Sequence, residues 1–187
     1  MKVVCGLGNP GPDYDATRHN VGWWLVDRIA FDWRTGPFER RGDALEAEGS
    51  VGGADVLLLK PLTYMNRSGA ALAALLREEA LDPVHDLLVL VDDTALEPGR
   101  LRFRPSGSSG GHNGLRSIEA ALGSQEWARL RIGVGAPPPG ESLVDWVLSP
   151  MPAADEQAVL DRFTLAVEGV GLWVEQGIDA AMNRCNG

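Results

Sequence analysis

Cysteine is almost absent from this chain. Cys5 and Cys185 stand near opposite ends of its 187 residues, and two distant thiols make neither a disulfide framework nor a cysteine metal motif. A reducing compartment such as the cytoplasm fits them, as small buried apolar side chains. Histidine is nearly as scarce. His19, His85 and His112 include no His-x-x-x-His pair, so no metal ligand set and no cofactor is expected. No apolar run approaches the ~20 residues of a membrane span, so no membrane partner is expected either. The start, Met1-Lys2-Val3-Val4, enters a strand-like run at once, which argues against a secretory leader. There is no internal repeat and no low-complexity tail. Apolar residues at 44% and charged residues at 23% describe an ordinary globule, expected as one domain over residues 1–187.

Positive charge is also short overall. The net charge of −9 argues against broad, non-specific affinity for nucleic acid. The balance is uneven, however. Between Arg100 and Arg131 lie six arginines (100, 102, 104, 116, 129 and 131) against Glu119 and Glu126, a local +4 that leaves −13 for the rest. A compact basic patch on an acidic protein suits a local contact with a polyanion. The plainer alternative is a set of solvated arginines on a strand face.

What the chain does have is Gly6-Leu7-Gly8-Asn9-Pro10-Gly11, then Tyr14, then Thr17-Arg18-His19-Asn20-Val21-Gly22. The preceding Val3-Val4-Cys5 reads as a first strand. Glycines and an Asn-Pro pair at its end deliver a loop rather than a helix. Histidine is the side chain that exchanges a proton near neutral pH, so His19 is the candidate general base. Gly6-x-Gly8-x-x-Gly11 also fits the dinucleotide fingerprint, but that pattern needs a helix at its third glycine and a second strand ending in an acid. Pro12-Asp13 and the Thr35-Gly36-Pro37 break supply neither.

Further along, His19 to Trp33 reads as a first helix, with Asn20 as its N-cap and Thr35-Gly36-Pro37 as its stop. Trp23, Trp24 and Trp33 read as core or half-buried packing. Ala44–Glu48 and Asp55–Lys60 read as a hairpin around Gly49-Ser50-Val51-Gly52-Gly53. Asn66 sits where a helix bearing Leu72, Leu75 and Leu76 begins, either as its cap or as an amide aimed at a ligand. Leu87–Val91 is a five-residue apolar run ending in Asp92-Asp93, a buried central strand with an acid at the edge where open α/β sheets bind ligands. Leu101–Arg104 is a strand with arginines on one face. Residues 105–111 form a flexible loop, and His112-Asn113-Gly114 leads into a helix over Leu115–Leu122, whose first amides favour an anion. Arg129–Gly135 reads as a strand. Met151-Pro152 starts one long helix to about Gln176, and a last helix covers Ile178–Arg184. The class is α/β: a mixed, mostly parallel twisted sheet with helices on both faces.

Loops at strand ends thus carry Asn9, His19, Asn66, Asp92, His112 and Asn113. A histidine, an aspartate and several amides make a hydrolytic set without a nucleophilic side chain. The aspartate orients the imidazole, the imidazole takes a proton from water, and the amides hold the developing oxyanion. Gly107-Ser108-Ser109-Gly110-Gly111 formally matches a serine nucleophile elbow, but Pro105 interrupts the strand that an elbow requires, and His112 lies too close behind.

These residues carry a resemblance. The opening Gly6–Gly11, Tyr14 and Thr17–Gly22 are followed in order by Lys60-Pro61-x-Thr63-Tyr64-Met65-Asn66-x-Ser68-Gly69, Asp92-Asp93, Gly110-Gly111-His112-Asn113-Gly114-Leu115 and Arg129-Leu130-Arg131-Ile132-Gly133. The whole pattern closely resembles bacterial-type peptidyl-tRNA hydrolase. The resemblance implies hydrolysis of the ester joining a peptide to the 3′ ribose of tRNA, with peptidyl-tRNA as the partner and a monomer as the working state. It implies His19 as base, Asp92 as its support, and Asn9 as the group that separates blocked from free aminoacyl-tRNA. Tyr14, Tyr64, Met65, Asn66, His112 and Asn113 would contact peptide and terminal nucleotide, and Arg104 and Arg131 the tRNA 5′ phosphate. Thr94-Ala95-Leu96-Glu97 departs from the Leu-Asp-Leu-Pro usual after the paired acids, and Ser106-Gly107-Ser108-Ser109 from the usual loop before Gly110. The rival reading is a non-hydrolytic RNA binder on the same fold. The presence of His19, Asp92, Asn9, Asn66 and Asn113 together favours the enzyme.

Overall fold

Val3, Val4 and Cys5 are fully buried in β1 (Lys2–Gly6), the strand from which the sheet extends both ways. In the computed structural model, which describes all 187 residues, the chain continues through α1 (Val21–Trp33), β2 (Glu39–Arg41), β3 (Ala44–Val51), β4 (Ala54–Pro61), α2 (Ser68–Glu78), α3 (Pro83–Asp86), β5 (Leu87–Asp93) and β6 (Leu101–Arg104). It ends with α4 (Asn113–Leu122), β7 (Ala128–Gly133), α5 (Leu143–Val147), α6 (Ala153–Asp161), α7 (Phe163–Gln176) and α8 (Ile178–Cys185). The strand order is β2-β3-β4-β1-β5-β7-β6. The central four strands run parallel, and antiparallel pairings complete the two edges. No helix is long and apolar enough to cross a membrane.

Both faces of this sheet are covered, and strand periodicity assigns the residues to them. Val4, Leu88 and Leu90 join α1 and α7 in one core, while Val3, Cys5, Leu87, Val89 and Val91 join α2 and α4 in the other. Continuing that two-residue period, Asp92 falls on the α1 side of β5. The chain crosses from β1 to β4 on one side and returns to β5 on the other side of β1. Such a reversal leaves a crevice at the carboxyl ends of the strands. The loop after β1, the turn before α2 and the end of β5 all open there.

Several elements differ from the sequence reading, each for a local reason. A 3₁₀ turn over Arg18–Asn20 precedes α1, and the Asn20 side chain makes no cap bond. The hairpin loop contracts to Gly52-Gly53, whose φ values of +57° and +83° suit a two-residue turn and let both strands lengthen. Charged Glu39–Arg41 forms an exposed edge strand that its composition concealed. The long C-terminal helix is two helices, broken at Arg162.

Gly22 shows how tightly the first helix is docked. A Cβ there would lie 2.5 Å from the carbonyl oxygen of Leu90 and 2.7 Å from that of Leu7. Gly22→Ala is expected to lower stability by about 1–3 kcal/mol, as an overpacked core does. Gly171 in α7 has only Trp33 Cζ2 near its Cβ position, at 3.9 Å. Gly171→Ala is expected to be neutral or to stabilise by up to about 1 kcal/mol. Urea midpoints of the two variants beside wild type check both.

Candidate active site

Asp92 accepts hydrogen bonds from two imidazoles. His19 Nδ1 lies 3.0 and 2.8 Å from its two oxygens, and His112 Nε2 lies 2.7 Å from Oδ1. The carboxylate side chain is 1% exposed. Burial by itself would raise its pKa, but the two imidazoles, by charge and by hydrogen bonding, outweigh burial and hold it well below the usual carboxylate range. The tautomers follow from the partners. The backbone amides of Gly114 and Leu115 point at His112 Nδ1 from 3.0 and 3.4 Å, so that nitrogen is the acceptor and Nε2 carries the proton. His112 is thereby the side-chain N-cap of α4. His19 turns Nδ1–H to Asp92, which leaves Nε2 with its lone pair.

Asn9 is held by a second asparagine. Asn20 Oδ1 accepts from the Asn9 amide at 2.9 Å, and Asn20 Nδ2 donates to the Asn9 carbonyl at 3.0 Å. Asn9 Oδ1 accepts from the Met65 amide at 2.7 Å. The oxygen of Asn9 is thus occupied inside the protein, and its NH2 group is the end left to act. Asn9 and Asn20 are buried, whereas Asn66 and Asn113 are exposed. Asn66 makes no cap bond, since the cap position of α2 is Arg67. Met65 is buried among the α2–α4 core residues. Tyr14 and Tyr64 meet edge to face with centroids 6.3 Å apart, and Tyr64 is 57% exposed.

A cavity of about 310 Å³ adjoins the histidine pair. His19, Asp92, His112 and Asn113 line it on one side, Arg116 and Arg131 on another, and Leu143, Val144 and Val147 from α5 on a third. The arginines of the antiparallel edge pair share one face, because Arg102 pairs with Arg131 and Arg104 with Arg129 across β6 and β7. Their roles are not equal. Arg104 is half-buried and has no acidic partner, and it lies outside the cavity. Arg131 pairs with Asp93 at 3.5 Å and donates to the Ser108 carbonyl. Arg129, which the sequence placed in the basic patch, is fully buried. It stacks 3.8 Å over Trp127 and donates to the carbonyls of Gly107, Gln125 and Trp127. Burial, and then its neighbour Arg131, push its pKa down to about 10. Arg129 fastens the 105–111 loop to β7 and has no face to offer a phosphate.

His19, Asp92 and His112 also form a group of three side chains of metal-ligating type, with donor atoms within 4.8 Å of one another. Protons hold this set together, since each imidazole directs an N–H at the carboxylate, and a metal would have to displace both. Sequence reasoning missed Asn20, taken for a cap, and the way His112 is spent on Asp92 and on its own helix. A polar residue that caps nothing is the one signal that could have flagged Asn20.

With this geometry in view, the likeness to known proteins is close. A family model described as peptidyl-tRNA hydrolase matches residues 3–187. The chain is 49% identical to a peptidyl-tRNA hydrolase of Symbiobacterium thermophilum, over 99% of this chain and 98% of that protein. It is 46% identical to one of Gemmatimonas aurantiaca, with 98% of each covered. Among solved structures, peptidyl-tRNA hydrolase from Acinetobacter baumannii matches with a TM-score of 0.94 at 33% identity, over 100% of this chain and 95% of that one.

The depressed Asp92 carboxyl has a consequence for acid stability. Its contribution is fully present above the unfolded value near ~3.9 and is lost as pH falls toward the lower folded value. Between pH ~4.5 and ~2.5 the stability gap between wild type and Asp92→Asn is expected to shrink by on the order of 1 kcal/mol, about the worth of one pKa unit. Urea unfolding across that window measures it, and a constant or widening gap contradicts the depressed carboxyl.

Proposed function

The chain belongs to the peptidyl-tRNA hydrolase family and hydrolyses peptidyl-tRNA; on that premise we propose that His19 is the general base of the reaction. The observation that carries the reading is the bond from His19 Nδ1 to the buried Asp92, which reserves Nε2 for the substrate side. A water beside Nε2 gives up its proton as its oxygen attacks the ester carbonyl. The carbonyl oxygen takes the negative charge of the tetrahedral intermediate. Collapse breaks the bond to the ribose 3′ oxygen, and the proton held on Nε2 passes to that oxygen. The freed acid gives its remaining proton to solvent, so carboxylate and tRNA result, and the base is restored. Asp92 supports the imidazolium in between without taking its proton.

The amides divide the remaining work. Asn9, its oxygen tied to Met65, presents NH2 to the acyl group, where it favours a blocked substrate carbonyl over a free ammonium. Asn66 and Asn113, exposed beside the crevice, donate to the peptide and the oxyanion, a contribution worth about 3 kcal/mol for a well-placed donor. Tyr14 and Tyr64 flank the peptide, Met65 supplies an apolar floor, and His112 acts on the substrate through Asp92. Arg104 and Arg131 hold the 5′ phosphate of the tRNA. Arg104 supports that role through the absence of any acidic partner, and Arg131 by exchanging Asp93 for phosphate.

The test is release of labelled N-acetyl amino acid from N-acetyl-aminoacyl-tRNA by wild type, His19→Ala and Arg104→Ala side by side. His19→Ala is expected to lose at least about 100-fold in kcat, the low end for a general base, while remaining folded by circular dichroism. Arg104→Ala is expected to raise KM with kcat nearly unchanged and to flatten the dependence of kcat/KM on salt. Near-normal turnover by His19→Ala would sink the base assignment. No release by wild type with tRNA still bound would favour an RNA-binding role.

A further inference from the structure

Arg18 precedes the base in the chain, yet its side chain points away from the reaction. It is 1% exposed, and no carboxylate touches it, although the charges of Asp155 and Glu141 offset part of what burial costs the guanidinium. The guanidinium stacks 3.3 Å over the Trp146 ring. The two N–H groups of Nη1 are shared among four acceptors: the Ser149 hydroxyl at 2.6 Å and the carbonyls of Trp146, Ser149 and Pro150 at 3.1, 3.2 and 3.2 Å. Nε has no partner. The backbone adds to this, with the Arg18 amide donating to the Ser149 carbonyl at 3.1 Å and Thr17 bridging to Pro150. Burying a cation with no carboxylate in contact is costly. An apolar side chain on Trp146 would fill the space more cheaply. What a guanidinium adds is direction: a plane for the stack and a set of N–H vectors for the turn.

The turn held this way follows α5, and α5 is a wall of the cavity beside His19. Leu143 and Val144 stand there 49% and 58% exposed. Trp146 is tied at its other end, through Nε1, to the Gly135 carbonyl beyond β7 at 2.8 Å. The wall is therefore pinned to the turn that carries the base, by the Arg18 side chain together with the backbone of residues 17 and 18, and to the chain beyond β7, by Trp146.

We propose that Arg18 is a positioning residue for the hydrolysis, which fixes the apolar wall of Leu143 and Val144 at its working distance from His19 so that the ester-bearing end of the substrate packs against it. This rests on His19 as the base. The two are tested apart, because the wall is read from KM with His19 intact.

The experiment compares wild type, Arg18→Lys, Val144→Ala and the double variant on N-acetyl-aminoacyl-tRNA, with kcat and KM resolved, a pH profile of kcat/KM and a melting curve for each. Arg18→Lys keeps the charge and loses the plane over Trp146 and the fixed N–H directions of Nη1. It is expected to raise KM at least about fivefold with a smaller change in kcat, and to leave the acid limb of the pH profile in place. Val144→Ala, at an exposed position, is expected to raise KM in the same direction without lowering the melting temperature. The double variant is expected to be no worse than Arg18→Lys alone, since both act through one wall. If Arg18→Lys does not fold, Ser149→Ala is read by the same criteria, because it removes the 2.6 Å bond and leaves the cation. A KM within about twofold of wild type beside a lowered melting temperature would make Arg18 merely structural and overturn the proposal. Additive effects in the double variant, or a shifted acid limb, would overturn it as well.

Discussion

The Asp92 carboxylate is buried and accepts an N–H from each of two imidazoles, and the rest of the crevice is arranged to keep it so. A buried carboxylate without partners costs several kcal/mol and escapes the cost by taking up a proton. Here His19 and His112 together remove that option. Each histidine is then fixed by what lies behind it. His112 has its other nitrogen on the first amides of α4. His19 stands in the turn that begins α1, docked so closely on β1 and β5 that Gly22 has no room for a side chain. The proton positions on the two imidazoles are in this sense a property of two helix starts and one strand end.

Arginine is used in two distinct ways around this centre. Arg18 and Arg129 are both buried, both lie over a tryptophan and both donate to carbonyl oxygens. They bind irregular segments, 146–150 and 105–111, to the regular frame, and those segments wall the cavity on two sides. Arg104 and Arg131 remain nearer the surface on the same strand pair, β6 and β7. The +4 segment is therefore less a patch of equivalent charges than a buried, structural cation beside more exposed ones. The β6–β7 register puts them on one face, and burial alone separates them.

The sheet and most of the site were legible in the sequence because their signals are local. A five-residue apolar run ending in two acids can hardly be anything but a buried strand delivering Asp92 to an edge, and glycines after Val3-Val4-Cys5 can hardly begin a helix. What escaped was set by partners distant in the chain. Asn20 looks like a helix cap, and only the return of the Gly8–Pro10 loop onto it makes it the clamp of Asn9. Arg129 looks exposed by strand alternation, and only the fold of residues 105–111 over it buries it. His112 looks available to substrate until α4 claims one nitrogen and Asp92 the other. The break at Arg162 and the edge strand Glu39–Arg41 carry no pattern of their own, because tertiary contacts, not periodicity, decide them.

The central claim is about where two protons sit, and long-range proton–nitrogen NMR correlations of the imidazole rings read that directly. At a pH above the imidazole transitions, the account predicts His19 protonated on Nδ1 with Nε2 bare, and His112 protonated on Nε2 with Nδ1 bare. Asp92→Asn, assigned in parallel, is predicted to loosen the His19 pattern while the α4 amides keep that of His112. His19 found protonated on Nε2, with a bare Nδ1 facing the carboxylate, would contradict the account at its root.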